Sequence, residues 1–131
     1  MCFAESKSRG WWKVFTFQKK IFGHVFALRY DPVTQAWLKF EWSTSGLDVK
    51  VLTRSDIENY IILLSNYGIV LEVVKRRLDV TFMHCGLFPI YCVSAIRHLL
   101  GIKKICLTPY SLHCELKKNG GQYRFGTERN V

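Results

Sequence analysis

The chain has 131 residues, 49% of them hydrophobic and 15% aromatic, which is enough apolar surface for one packed domain and too much for a disordered chain. A formal net charge of +9 favours an anionic partner without selecting a fold, and the basic residues fall in short pairs such as Lys19-Lys20 and Arg76-Arg77 with no long tract. The apolar runs Ile61 to Leu64 and Ile69 to Leu71 are broken by Ser65, Asn66 and Glu72 well before the ~20 residues that a membrane span needs, so a soluble or peripheral protein is expected.

In chain order, residues 1–10 read as a polar lead-in, carried by Ser6, Lys7, Ser8, Arg9 and Gly10. Residues 11–118 read as a single domain and 119–131 as a polar, Gly-rich tail. Trp11 to Phe17 has the composition of a strand. His24 to Tyr30 and Ala36 to Trp42 are rich in β-branched and aromatic residues and flank Asp31-Pro32-Val33-Thr34-Gln35, which predicts a hairpin. Leu47 to Leu52 fits a short edge strand.

Ser55-Asp56-Ile57-Glu58 has the form of a capping box, and Ile57, Tyr60, Ile61 and Leu64 follow at helical spacing, predicting a helix over Asp56 to Asn66. Strands are expected at Ile69 to Val74 and Leu78 to Met83. Cys92 to Leu100 puts Val93, Ile96, Leu99 and Leu100 on one face and stops at Gly101, a good residue for ending a helix. Thr108-Pro109 is an N-cap followed by Pro at the first helical position, opening a last helix through Leu112, His113 and Leu116. The first half is mostly sheet and the second mostly helical, an α+β pattern.

Five cysteines, Cys2, Cys85, Cys92, Cys106 and Cys114, are an odd count, and the N-terminal residues lack the order of a signal peptide, so a reducing compartment is expected. Cys92 is the best candidate nucleophile. Pro89 blocks a helix from extending backward, which leaves the sulfur at the helix start, where unpaired N–H groups and the helix dipole favour a thiolate. A thiol also needs an imidazole to take its proton. His24 opens an apolar strand directly after Gly23, and a neighbouring glycine permits close approach by another group. His84, beside Cys85, is the competing base. His98 is six residues beyond Cys92, nearly two helical turns away, and does not easily reach its sulfur. An orienting group for the imidazole is expected on the paired strand, where the hairpin brings Glu41 or Ser43 opposite His24.

Gly23-His24-Val25-Phe26-Ala27-Leu28, the aromatic hairpin with Trp37 and Phe40, Phe88-Pro89-Ile90-Tyr91-Cys92-Val93-Ser94-Ala95-Ile96-Arg97, Leu100-Gly101-Ile102 and Thr108-Pro109-Tyr110-Ser111-Leu112 together resemble the small, circularly permuted papain-like proteins of tailed phages. Permuted members of that wider superfamily of cysteine hydrolases, among them cell-wall peptidases and lecithin retinol acyltransferase-like enzymes, carry a His strand before a Cys helix. This chain has the same order.

The resemblance implies an antiparallel sheet packed against a Cys-bearing helix. It assigns Cys92 as nucleophile, His24 as general base and Glu41 as orienting residue. The implied activity is hydrolysis or transfer at an amide, ester or thioester through an acyl-enzyme, without a cofactor. It points to a cell-wall or protein substrate, to phage or virion proteins as partners, and to the host cytoplasm or the virion as the location. The alternative on the same fold is a non-enzymatic structural or adaptor protein of a virus particle.

Other chemistries are less well supplied. His84, Cys85, Cys92, Cys106, His113 and Cys114 contain no Cys-x-x-Cys pair and no His-x-x-x-His, so no metal site is expected. Gly120-Gly121 lacks the Lys-Ser or Lys-Thr of a phosphate-binding loop. Arg9-Gly10-Trp11-Trp12-Lys13 and Gln122-Tyr123-Arg124-Phe125 interleave basic and aromatic residues, the composition of a single-stranded nucleic acid contact, which makes nucleic acid the weaker partner class.

Overall fold

The hairpin turn is built from the side chain of Asp31. Its carboxylate accepts the Val33 N–H at 3.2 Å and the Thr34 hydroxyl at 2.6 Å, while Gln35 takes a left-handed φ of 51°. The turn joins β2 (His24–Asp31) to β3 (Ala36–Ser43), and β4 (Gly46–Leu52) returns along β3. The computed structural model describes residues 1–4, 22–43, 45–74 and 91–125. The expected strands over 11–17 and 78–83, together with His84 and Cys85, lie outside the described residues.

The helix α1 (Arg54–Tyr67) follows β4, then β5 (Gly68–Glu72), α2 (Cys92–Leu100), α3 (Pro109–Lys118) and β6 (Gln122–Phe125). The capping box of α1 is Thr53 with Asp56, not Ser55 with Glu58. Thr53 holds the extended backbone of a strand exit, its hydroxyl accepts the Asp56 N–H at 3.2 Å, and Asp56 accepts the Thr53 N–H at 3.0 Å. Ser55 therefore falls inside the first turn, and Glu58 pairs instead with Arg54 at 3.0 Å. Thr108 and Pro109 open α3 as the sequence predicts, and Gly101 ends α2 at a φ of 68°.

Among the described residues, six strands form one antiparallel sheet in the order β4-β3-β2-β1-β5-β6. The central β1 is Cys2–Ala4, inside what the sequence presents as a polar lead-in. Those three residues are apolar, Phe3 is wholly buried, and polarity begins only at Glu5. The expected polar tail likewise contributes β6, which pairs with β5.

Alternation along the strands divides the core between two faces. Phe3, Val25, Ala27, Ile69 and Leu71 meet Val93, Ile96 and Leu100 of α2 and Leu112 and Leu116 of α3. Cys2 and Phe26 face the other way, toward Leu64 and Tyr60 of α1. The result is an α+β fold in which, among the described residues, one helix packs on one face of the sheet and two on the other. No helix among the described residues is long and apolar enough to cross a membrane.

Candidate active site

Cys92 is the first residue of α2. Ser94 fixes that helix start by accepting the Tyr91 N–H at 2.8 Å, and the Tyr91 hydroxyl donates to the Leu107 carbonyl at 2.9 Å, tying the start to the loop before α3. The first bond of the helix runs from the Ala95 N–H to the Tyr91 carbonyl at 2.9 Å, so the N–H groups of Cys92 and Val93 have no partner within the helix. The half-buried thiol therefore sits beside two outward-directed backbone donors.

His24, the first residue of β2, lies at the end of the sheet, where its ring is close enough to the Cys92 side chain to feel it and stacks 6.3 Å from Phe26. Its Nε2 is 2.9 Å from Oε1 of Glu41. Glu41 is diagonal to His24, since its direct partner across the ladder is Phe26. Of the two orienting groups the sequence offered, Glu41 reaches the imidazole. The Ser43 hydroxyl instead contacts Ser45 Oγ at 2.7 Å and donates to the Gly46 carbonyl.

Two residues that sequence reasoning passed over complete the cluster. Lys39, buried within β3, donates from Nζ to Glu41 Oε2 at 2.5 Å and to the Tyr60 hydroxyl at 2.9 Å. Its ammonium also stands 5.2 Å from the Phe26 ring centre and 5.0 Å from that of Tyr60. The available signal was spacing: Lys39 is two residues from Glu41 and so shares its face of the strand.

The charges reinforce one another. Burial disfavours the His24 imidazolium, but hydrogen bonds to Cys92 and then to Glu41, with the charges of both, push its pKa up from 6.5 to about 9. The bond from His24, opposed by burial and helped by Lys39, pulls the Glu41 carboxyl down to about 2. Burial also works against the Lys39 ammonium, yet its bonds to Glu41 and Tyr60 hold it above the usual lysine value.

A cleft of about 280 Å³ runs between α2 and the outer strands, lined by Phe40, Trp42, Leu47, Ala95, Ile96 and Leu99. Ala95, Ile96 and Leu99 are three, four and seven residues beyond Cys92 on α2, and Cys92, His24 and Glu41 are not among the residues that line the cleft. His98 also lines this cleft, away from the start of α2 where Cys92 sits. His113 is buried on α3, with Nε2 3.0 Å from the Tyr123 hydroxyl. Cys2 and Cys106 are buried, and burial pushes the Cys2 thiol up to about 11. Among the described residues no three His, Cys, Asp or Glu side chains group as metal ligands. Comparison with protein-family models, curated proteins and solved structures finds no match for this chain.

Proposed function

We propose that this protein is a cysteine hydrolase or peptidase of permuted papain-like type, acting on an amide or ester bond through an acyl-enzyme. The observation that carries this reading is the sequence of contacts Cys92, His24, Glu41, in which a thiol at a helix start shares an imidazole with a carboxylate. With its pKa raised to about 9, His24 is imidazolium at neutral pH and so holds the proton that a leaving group needs. The sulfur attacks the carbonyl carbon, and the N–H groups at the start of α2 receive the negative charge on oxygen. His24 passes its proton to the departing amine or alcohol. A water molecule, deprotonated by the now neutral imidazole, then cleaves the thioester and regenerates the thiol pair. Glu41 holds the ring and its positive charge throughout. An apolar acyl group on Cys92 would meet the apolar cleft farther along α2.

The test is turnover of p-nitrophenyl esters and peptide amides by the wild type and by Cys92→Ser, with iodoacetamide labelling followed at each cysteine by mass spectrometry. Cys92 labels first, its label slows in His24→Ala, and Cys92→Ser is inactive. Activity retained in Cys92→Ser sinks the proposal.

A second reading, a non-enzymatic component of a virus particle on the same fold, draws on one observation. The strand β4, outermost among the described residues, exposes Leu47, Val49 and Val51 at 57%, 50% and 69%, an apolar row that another protein could cover. Particle assembly that tolerates Cys92→Ala and fails with Val49→Asp supports it, and the reverse pattern removes it.

A further inference from the structure

We propose that Lys39, clamped by Tyr60 of α1, is the positioning residue of the site: it holds the second oxygen of Glu41 so that the first faces His24. The inference rests on the hydrolase reading only for what the His24 pair is used to do.

Lys39 is 6% exposed, in a chain whose other lysines are available to solvent wherever their surroundings are described. A buried ammonium is retained only where anionic and polar partners surround it. Here Nζ has Glu41 Oε2, the Tyr60 hydroxyl and two aromatic faces. Oε2 is thus occupied by Lys39 and Oε1 by His24, so the carboxylate plane is fixed from both sides. Cys2 of β1 also senses the Lys39 charge, and in β4 Lys50 and Asp48 are the register neighbours of Lys39 and Glu41 and pair with each other at 2.9 Å. They leave Lys39 as the cation that ties Glu41 down. Because Tyr60 sits on α1, the tether links the helix on one face of the sheet to a thiol carried by the helix on the other.

Two effects of removing Lys39 have opposite signs, which makes the proposal decidable. Loss of a neighbouring positive charge alone raises the pKa of His24. Loss of the tether lets Glu41 turn away and lowers it.

The experiment is NMR titration of the His24 ring in wild type, Lys39→Met and Tyr60→Phe, with long-range ¹H–¹⁵N correlations to read the tautomer above its pKa. In the wild type the neutral ring carries its proton on Nε2, facing Glu41. In Lys39→Met the pKa of His24 falls by about one unit or more, the tautomers mix, and Cys92 labelling slows several-fold. Tyr60→Phe shifts it the same way by less. A His24 pKa that stays or rises in Lys39→Met overturns the proposal. Where that variant does not fold, Tyr60→Phe decides: a downward shift supports the tether and no shift removes it. None of these readouts needs a substrate. An inactive wild type with an ordered His24 tautomer therefore defeats the hydrolase reading alone, whereas a silent Lys39→Met defeats the tether alone.

Discussion

Replacing Glu41 by Gln keeps the shape of the side chain and removes its charge, so it tests whether His24 and Glu41 are an ion pair. The rise of His24 from 6.5 to about 9 corresponds to about 3 kcal/mol at 1.36 kcal/mol per pKa unit. Cys92 supplies part of that rise, and both partners of the pair are about a quarter exposed, so the share lost with the Glu41 charge is on the order of 1–2 kcal/mol.

The pH dependence has a definite sign. A group whose pKa is raised by folding contributes fully below its unfolded value, and this contribution disappears as the pH climbs from 6.5 through about 9. Glu41, lowered from 4.5 to about 2, contributes above 4.5 and loses its contribution as the pH falls through about 2. Urea denaturation of wild type and Glu41→Gln across this range should show the largest difference in stability between pH 4.5 and 6.5. The difference should shrink on the alkaline side to whatever Lys39 retains. A difference that is flat from acid to alkaline pH, or that grows above the His24 pKa, would refute the ion-pair reasoning.

Two other substitutions probe the surroundings of the site. In Gly68→Ala the new methyl group would lie 2.8 Å from Leu64 Cδ2 and 3.0 Å from the Phe3 carbonyl oxygen, where α1 closes against β1; a loss of about 1–3 kcal/mol in urea denaturation is expected. Ala95→Phe fills the apolar cleft without touching the cluster at His24. Iodoacetamide labelling of Cys92 should stay within about twofold of wild type, while acylation by a long-chain ester slows about tenfold; equal slowing of both would show that the cleft is unrelated to the acyl group.

What the sequence determined by itself is what short-range physics determines. Asp31 and the turn residues after it define the β2–β3 hairpin, Gly101 ends the helix that starts at Cys92, and Thr108-Pro109 opens α3, because each signal acts within a turn or two of backbone. The hairpin narrowed the partner of His24 to Glu41 or Ser43, since it converts loop length into register, and the structure places the Glu41 carboxylate on the ring from a diagonal position. Position along the chain misled where the partner was distant. Cys2–Ala4 is three residues long and precedes a polar run, yet it fills the centre of the sheet because β2 and β5 offer it hydrogen bonds on both edges. Tertiary structure alone decided the burial of Lys39. A lysine in a strand reads as solvated until Tyr60, 21 residues away on α1, supplies its second partner and covers it. The meeting of His24 with Cys92 required the same kind of assembly, a strand end and a helix start brought together only when α2 packs across the sheet.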